Sequence, residues 1–250
     1  MKRLELLGLD GIGEVRPGAV LGELICQACA RQGVQLADDD VVVIAQKIVS
    51  KSEGRMVHLA DIQPSPRAIK IGRELDKDPS LTEVILNESR SIVRKGGRAL
   101  IVETHHGFIC ANAGVDCSNV GLGHAALLPK DPDASARRIR SEIQARCGKS
   151  PAVIMSDSFG RAWRMGTVDV ALGVAGMPAI KDERGSKDRY GYELRAAVAA
   201  VADELASAAE LVMGKRDGVP VVIVRGYEFE KKEDGSVQES LRPQAEDLFR

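Results

Sequence analysis

Three short runs of β-branched and aliphatic residues constrain the fold of this chain more than any other feature. They are residues 40–45 (DVVVIA), 153–155 (VIM) and 220–224 (PVVIV), and each has the length and composition of a buried β-strand. Segments with helical periodicity lie between them, but strands and helices do not alternate strictly. This mixture predicts an α+β fold with mixed sheets and flanking helices, rather than a doubly wound Rossmann sheet.

Periodicity and capping residues predict the other main elements. We expect an opening strand over residues 3–9, a helix over 18–32, two helices within 65–90 that separate near Pro79, and a hairpin over 99–111. A helix capped by Asp133 or Ser135 should end near Gly148, and an Ala-rich helix is predicted over about 193–213. The apolar face of that last helix would comprise Leu194, Val198, Val201, Leu205 and Leu211.

Composition and charge restrict the class of protein. The 250 residues are 44% hydrophobic and carry 35 Lys and Arg against 36 Asp and Glu, so the net charge of -1 gives no general attraction to nucleic acid or to an anionic membrane. No apolar run reaches the roughly 18 residues of a spanning helix, and the first residues lack the pattern of a signal peptide. We therefore expect a single globular domain in the cytoplasm.

The five cysteines fit a reducing compartment better than a disulfide framework. Cys26 and Cys29 form a CxxC sequence, but no second CxxC or His pair follows at the spacing of a zinc site. Both lie in a segment with helical spacing. The favoured interpretation is that they are core thiols on a helix.

A carboxylate, a hydroxyl and two cations follow the apolar run at residues 153–155. Asp157 and Ser158 come where the strand is expected to end, with Arg161 and Arg164 just beyond. If the segment after Ser158 turns helically, the two arginines share a face and can clamp phosphate oxygens. Oxygen ligands beside guanidinium groups are typical of a site for a metal-bound polyphosphate.

Two further carboxylates, Asp116 and Asp182, also follow apolar runs. Mg²⁺ and Mn²⁺ take oxygen ligands from one or two carboxylates, a hydroxyl, waters and substrate phosphates, so Asp157, Ser158 and Asp116 form a candidate set. A single Asp after a strand is also typical of a turn or helix cap. Lys51 adds a point charge after the strand at 40–45, although a solvated surface position is the alternative for any one Lys or Arg.

Common nucleotide-binding and hydrolase motifs are missing from the sequence. The glycines of GLDGIG at residues 8–13 are not spaced as GxGxxG, and no GxxxxGK[ST] sequence occurs. No GxSxG sequence nominates a nucleophilic serine. Neither a Rossmann nor a P-loop scaffold is therefore expected.

Six motifs, in their order and spacing, resemble the coenzyme F420-0:L-glutamate ligase family. They are SKSEGR (50–55), NAGVDCSNVG (112–121), LPKDPDASA (128–136), SDSFGRAWRMG (156–166), KDERGSKDRYGYEL (181–194) and LVMGKRDGVPVVIVRG (211–226). The likeness spans nearly the whole chain. Six separated motifs in register are far more specific than any single glycine pattern.

The resemblance implies an intertwined α+β homodimer with its sites near the subunit interface. Such an enzyme uses GTP with Mg²⁺ or Mn²⁺, at up to two metal sites, to join L-glutamate to F420-0 and then to add further γ-linked glutamates; K⁺ is a further candidate ion. GTP would phosphorylate the acceptor carboxylate, and the glutamate amine would attack the acyl phosphate. This chemistry depends on positioning and charge neutralisation.

The resemblance also assigns roles to individual residues. Asp116 and Asp157 would hold one metal ion, and Ser158 would contact a second. The residues themselves, rather than the resemblance, add Arg161 and Arg164 to Asp157 as the expected catalytic residues. The expected GTP contacts are Asp10, Gly11, Ile12, Gly13, Gln46, Lys47, Lys51, Asn119, Met213, Gly214, Lys215, Arg216, Asp217, Gly218 and Val219.

The chain departs from one archaeal form of the family pattern in the loop after Met213. Lys215 stands where that form has an acid, and the loop is one residue shorter, which leaves Asp217 as the substitute ligand for a second metal ion. Some relatives also carry a flavin-binding reductase-like domain behind the ligase. Because only residues 225–250 follow the last predicted strand, we expect a stand-alone ligase domain over residues 1–250.

Two other functions stay open on the residues alone. A metal-dependent phosphohydrolase would use Asp116, Asp157 and Arg161 to release phosphate without forming an amide. A nucleotide-binding regulator would bind GTP without turnover. Replacing Asp157 by Asn separates an enzyme, which loses nearly all of its rate, from a regulator, which loses only affinity.

Overall fold

The fold was obtained as a computed structural model, which describes residues 2–248. These residues form twelve strands: β1 (Glu5–Gly8), β2 (Val41–Ala45), β3 (Met56–His58), β4 (Ser89–Gly96), β5 (Ala99–Thr104), β6 (Ile109–Ala111), β7 (His124–Ala126), β8 (Ala152–Arg161), β9 (Arg164–Ala175), β10 (Lys181–Asp182), β11 (Val198–Ala199) and β12 (Val221–Arg225). The α-helices are α1 (Leu21–Arg31), α2 (Gln46–Ser52), α3 (Pro66–Glu74), α4 (Pro79–Asn87), α5 (Pro132–Cys147) and α6 (Val201–Met213).

A five-stranded mixed sheet forms the centre of the molecule. Its strand order is β1-β12-β2-β8-β9. β2 and β8 run parallel, whereas the other neighbouring strands of this sheet are antiparallel. The three apolar runs identified in the sequence are therefore adjacent in space. The α+β prediction is confirmed, and this strand arrangement differs from that of a Rossmann sheet.

Alternate residues of the central strands pack against helices on opposite faces of the sheet. Val42 and Ile44 face a cluster that includes residues of α1 and α5, whereas Val41 and Val43 face a cluster that includes residues of α6. Because side chains alternate along a strand, a strand buried on both sides is apolar throughout, as β2 is. The central sheet is thus the middle layer of a three-layer core, with helices on both of its faces.

Three smaller sheets accompany the central one, with strand orders β4-β5-β6, β3-β7 and β10-β11. A third apolar cluster joins β5 to α3, α4 and β7, with Ile85, Leu100 and Ala125 fully buried. Proline at the first turn of α3 and of α4, with Ser65 and Asp78 as side-chain caps, explains why two helices form here. The predicted break near Pro79 is correct.

Several predicted boundaries are wrong for identifiable reasons. The cap of α5 is Asp131, whose carboxylate accepts from the Ala134 amide, rather than Asp133 or Ser135. The Ala-rich helix begins at Val201, because residues 181–199 form an exposed segment with the short strands β10 and β11. The predicted face residues Leu194 and Val198 therefore precede the helix, and Leu211 is 84% exposed instead of belonging to the buried face of α6.

The segment after Ser158 is a β-hairpin, and the conditional prediction of a helix there is wrong. β8 continues to Arg161, and Arg161 pairs across the turn with Arg164 at the start of β9. The two arginines share the tip of a hairpin rather than the face of a helix. The side chain of Arg161 donates to the carbonyl oxygen of Met165.

The cysteines differ in part from the prediction. Cys29 is a buried free thiol on α1, and burial raises its pKa to about 11. Cys26, on the same helix, is joined to Cys147 at the end of α5 by a disulfide, so the expectation of an unpaired core thiol is wrong at this position. The partner could not be inferred because it lies 121 residues away in sequence. Within residues 2–248, no helix combines the length and apolar character needed to cross a membrane.

Candidate active site

A cavity of about 690 Å³ opens where the parallel strands β2 and β8 leave the core. Ala45 and Ser156 are paired at this point, and polar residues follow directly on both strands. The loop between β6 and β7 and the loop after α6 complete the walls. Strand ends of a sheet are a common place for ligands because adjacent chains diverge there.

α2 starts immediately after β2 and carries polar side chains to the cavity. Its buried residues Ile48 and Val49 hold it against the core, while Gln46, Lys47 and Lys51 line the cavity. The sequence did not predict this helix, because its apolar residues are too few to show a helical period. The helix explains how Lys47 and Lys51, four residues apart, reach the same site.

Three carboxylates meet at the cavity: Asp116, Asp157 and Asp169. Burial raises the pKa of Asp157 to about 7, and the charges of Asp169 and Asp116 act in the same direction. A hydrogen bond from the backbone amide of Ser158 and the charge of Lys47 oppose the shift. Asp157 is therefore a carboxyl group that a bound cation would help to ionise.

The pKa of Asp116 is shifted in the opposite direction. One carboxylate oxygen lies 2.7 Å from the Lys47 ammonium and accepts from the Ser118 hydroxyl, while the other accepts from the Ser118 amide at 2.7 Å. Burial alone would raise the pKa of Asp116, but these hydrogen bonds and the charge of Lys47 lower it below its ordinary value. Asp116 is thus ionised and oriented at neutral pH.

Asp169 was missed by sequence reasoning. It lies on β9 opposite Ser158, is 5% exposed, and accepts hydrogen bonds from the hydroxyls of Ser156 at 2.8 Å and Ser158 at 2.6 Å. In the sequence it is one acid inside the run MGTVDVALGVA, with no adjacent polar group to mark it. Its partners become visible only through the register of β8 and β9.

Gln46 provides a buried donor at the cavity wall. Its side-chain carbonyl accepts from the Ser50 hydroxyl at 2.7 Å, whereas its Nε2 has no hydrogen-bond partner among the described residues. The residue is only 1% exposed. Buried amide groups are normally paired, so this donor indicates that a ligand acceptor belongs beside it.

The loop after α6 forms the wall opposite α2. Gly214 ends the helix at φ 57° and ψ -176°, a backbone conformation that favours glycine, and the Asp217 carboxylate folds back against it. Lys215 reaches across to the Ser158 hydroxyl, while its carbonyl oxygen accepts from the Asn119 side chain at 3.4 Å. This loop therefore links β8 to the loop that carries Asp116.

The structure brings most of the predicted site residues together. The predicted residues at the cavity wall are Gly13, Gln46, Lys47, Lys51, Asp116, Asn119, Asp157, Ser158, Met213, Gly214, Lys215, Arg216, Gly218 and Val219. Lys51 pairs there with Glu14 at 2.6 Å. Glu14 and Glu210 also line the cavity, and neither was predicted.

Six predicted residues lie outside the cavity wall. The carbonyl oxygens of Asp10 and Gly11 accept from Gln32 and Arg31 at the end of α1, and Ile12 is buried in the core. Asp217 lies behind Gly214. Arg161 and Arg164 are exposed at the β8–β9 hairpin tip.

The chemistry of the cavity fits a hard divalent cation. Among the described residues no group of three or more His, Cys, Asp or Glu side chains forms a preformed metal cage. Mg²⁺ and Mn²⁺ need no such cage, because they are commonly bound through one or two carboxylates together with waters and substrate phosphates. Asp116 and Asp157 supply that number, and among the described residues the half-buried Asp157 has no cation in hydrogen-bond contact.

The family model described as F420-0:Gamma-glutamyl ligase matches residues 11–226 of this chain. The chain belongs to this family. The match includes every wall of the cavity, from Gly13 to Pro220. The six motifs that suggested the resemblance therefore lie on a family domain that covers most of the sequence.

Named relatives of the family are similar to this chain over almost their full lengths. The Coenzyme F420:L-glutamate ligase of Methanothermobacter thermautotrophicus is 49% identical over 249 residues, covering 99% of each chain. The protein of the same name from Methanocaldococcus jannaschii is 43% identical, covering 100% of this chain and 98% of its own. That of Methanopyrus kandleri is 44% identical over 95% of this chain and 94% of its own.

Proposed function

We propose that this protein is a GTP-dependent ligase that joins L-glutamate to coenzyme F420-0 and then adds further γ-linked glutamates. Family membership and the names of the relatives support the ligase activity. The observation that carries the nucleotide and metal requirement is the cavity itself. It combines paired carboxylates, lysine ammonium groups and an unpaired buried amide donor at the ends of two parallel strands.

The divalent ion belongs between Asp116 and Asp157. When bound, Mg²⁺ or Mn²⁺ would neutralise phosphate charge and keep Asp157 ionised despite its burial. Lys47 holds Asp116 in one orientation with its charge intact. The two carboxylates would thus present oxygens from separate segments of the chain to one ion.

GTP would occupy the cavity with its phosphates near α2. Lys47 and Lys51 provide positive charge from one helix face, and Gln46 provides a donor whose hydrogen bond is otherwise unmade. On the opposite wall, residues 213–219 approach the nucleotide with backbone atoms, since Gly214 and Gly218 have no side chain to obstruct it. Asn119 links the β6–β7 loop to residues 213–219 through the Lys215 carbonyl.

The reaction would proceed in two balanced steps. A carboxylate oxygen of the acceptor attacks the γ-phosphorus of GTP, the bond to the β–γ bridging oxygen breaks, and GDP leaves. The amine of L-glutamate then attacks the acyl carbon, loses a proton, and the bond to phosphate breaks to give the amide and inorganic phosphate. Activation is needed because a free carboxylate is a poor acylating group, and the protein contributes chiefly position and charge.

Arg161 and Arg164 would bind acidic groups of the acceptor or of the acyl phosphate. They lie at the hairpin tip, outside the cavity of their own chain, so this role requires the tip to meet a cavity across a subunit contact. A homodimer is therefore part of the proposal. Exposed apolar side chains on the same hairpin support it, with Trp163 80% exposed and Met165 94% exposed.

The dimer is testable by sedimentation. We expect the wild-type protein to sediment as a dimer and Met165→Asp to shift it towards monomer, because a buried unpaired carboxylate is costly. Leu211→Asp, an equally exposed apolar position on α6, serves as the matched control. A monomeric wild-type protein, or equal effects of both variants, would contradict the hairpin interface.

The ligase assay decides between the proposed function and its rivals. Incubation with F420-0, L-glutamate, GTP and Mn²⁺ should give a product heavier by one or more glutamyl residues, with GDP and phosphate. Phosphate release that is independent of glutamate would indicate a phosphohydrolase. GTP binding without turnover would indicate a regulator. Asp157→Asn should lower the rate by about a thousandfold or more if the residue holds the metal ion.

A further inference from the structure

A continuous chain of hydrogen bonds links the loop after α6 to the centre of the sheet. The Lys215 ammonium donates to the Ser158 hydroxyl oxygen, the Ser158 hydroxyl donates to one oxygen of Asp169, and the Ser156 hydroxyl donates to the other. Lys215 and Ser158 are 57 residues apart in sequence. Two segments that are remote in sequence are therefore fixed to each other at the cavity.

The direction of each hydrogen bond is determined by the groups involved. An ammonium has only donors, and an ionised carboxylate has only acceptors. The Ser158 proton must therefore point to Asp169, which leaves the lone pairs of its oxygen to face Lys215. Asp169 thus orients Ser158 as an acceptor for a cation.

Charge explains why an ammonium is stable at this position. Asp169 is buried and, among the described residues, forms no direct ion pair, and the Lys215 ammonium is linked to it through the Ser158 hydroxyl. Glu210 lies 3.9 Å from the same ammonium and adds a second carboxylate. A buried carboxylate without a partner is costly, and a positive charge one hydroxyl away reduces this cost.

The ammonium also remains accessible to a ligand. The Lys215 side chain is 66% exposed and lines the cavity, and one of its three donors is directed to Ser158. Among the described residues the ammonium makes no other hydrogen bond, and Glu210 is its only further charged neighbour, at 3.9 Å, so donors remain for phosphate oxygens. Lysine in such a position acts as a point charge for phosphate oxygens.

We propose that Lys215, positioned by Ser158 and Asp169, supplies a further positive charge to the active site besides those of Lys47 and Lys51, and that Ser158 binds this ammonium instead of a second divalent ion. Asp169 is a positioning residue that acts through Ser158. The inference rests on the proposed function, because it assigns the cations around the phosphates of GTP. It predicts that Asp116 and Asp157 hold the one divalent ion of each chain.

Counting bound Mn²⁺ tests the assignment independently of activity. Electron paramagnetic resonance titration of the nucleotide-free protein should give one Mn²⁺ per wild-type chain and two per Lys215→Glu chain, since the new carboxylate joins the Ser158 oxygen. Lys149→Glu makes the same change of charge beyond the other end of β8 and should leave the count unchanged. The result that supports the assignment is one additional Mn²⁺ per chain in Lys215→Glu and none in Lys149→Glu.

The outcomes of this titration are distinguishable. Two ions in the wild type, no increment in Lys215→Glu, or an equal increment in Lys149→Glu would overturn the inference. A wild type that binds no Mn²⁺ would contradict the proposed metal site at Asp116 and Asp157. If Lys215→Glu still gained one ion in that case, the inference about Ser158 would stand.

Kinetics test the positioning role of Asp169. Lys215→Met should raise KM for GTP about tenfold, as expected for the loss of one charge-assisted hydrogen bond to phosphate, with KM for glutamate unchanged. Asp169→Asn should raise KM for GTP in the wild-type background but by less than about twofold in the Lys215→Met background. Equal effects in both backgrounds would show that Asp169 acts independently of Lys215 and would overturn its positioning role. Asp203→Asn, a partly buried acid beside β9, controls for loss of folding.

Discussion

The ammonium of Lys47 lies 2.7 Å from the carboxylate of Asp116, although 69 residues separate the two in sequence. This pair connects α2 to the loop that follows β6, and both residues line the cavity. The lysine keeps its partner ionised, whereas Asp157 at the same cavity has a raised pKa. One site thus contains two carboxyl groups with opposite shifts.

Replacing Lys47 by Met should lower kcat/KM for GTP at least about tenfold, because the ammonium orients Asp116 and, in the proposed function, would face the phosphates of GTP. The pKa of Asp116 should rise, since its burial would no longer be opposed by the lysine. The measurement is steady-state kinetics with varied GTP. Lys149→Met, which removes a surface ion pair to Asp38 at 3.5 Å, is the control and should retain the wild-type value.

The raised pKa of Asp157 predicts the pH dependence of stability in the metal-free protein. Its pKa is about 7 when folded and 3.8 ordinarily, so the folded state holds this proton more tightly. The contribution to the free energy of unfolding is complete below about pH 4 and is lost as pH rises through about 7. Asp157→Asn should remove this loss.

Urea unfolding of the metal-free wild type and of Asp157→Asn at pH 5 and pH 8 measures this effect. The free energy of unfolding of the variant, relative to that of the wild type, should be higher at pH 8 than at pH 5. Added Mn²⁺ should stabilise only the wild type. A difference between the two proteins that does not change with pH would contradict the assignment.

Much of the central sheet was predictable because its strands are buried on both faces and therefore read as unbroken apolar runs. β2, the first half of β8 and β12 were all located from composition. The paired helices α3 and α4 were also predicted, from periodicity and charge pairing with a break near Pro79, and in the structure a proline and a capping side chain mark each start. Asp157 and Ser158 were predicted as site residues because they come directly after one of these apolar runs.

The remaining features depend on contacts between distant segments. Asp169 is identified by cross-strand register, which one strand alone cannot reveal. The hairpin at Arg161 and Arg164 is similarly set by β9, against local spacing that would also suit a helix. The resemblance to a family supplied the roles of Lys47 and Asn119, which no local pattern indicates.

The ion pair between the buried Asp40 and the partly exposed Arg225 should be one of the most important polar contacts for stability. Asp40 is 1% exposed and accepts from both Nε and Nη2 of Arg225, at 2.8 Å and 2.7 Å. Arg225→Met would leave the buried Asp40 carboxylate without its cation, although the Ala37 amide still donates to it, at a cost of about 3 kcal/mol. Lys149→Met, whose partner Asp38 is about half exposed, should cost about 0–1 kcal/mol. Urea denaturation of both variants checks the difference.

Gly22 marks the close approach of α1 to α5. A Cβ built there would lie 2.7 Å from the backbone nitrogen of Ile143 and would also contact Glu142. Gly22→Ala should therefore lower the free energy of unfolding by about 1–3 kcal/mol, despite the higher helix propensity of alanine. Gly96→Ala, where the added methyl group meets open space, is the matched control. A stabilised Gly22→Ala protein would show that the helices can separate at little cost.

The junction of Ala45 and Ser156 places the ligand-binding groups on the backbone that should be slowest to exchange its amide hydrogens. Core strands of a sheet open only with the whole domain, whereas exposed loops open locally at far lower free energy. Asp157 and Ser158 would then persist in their arrangement until global unfolding, while residues 214–218 could open and close over them. The enzyme would in this way combine one immobile wall, which holds the charges, with one adaptable wall through which nucleotides enter and leave.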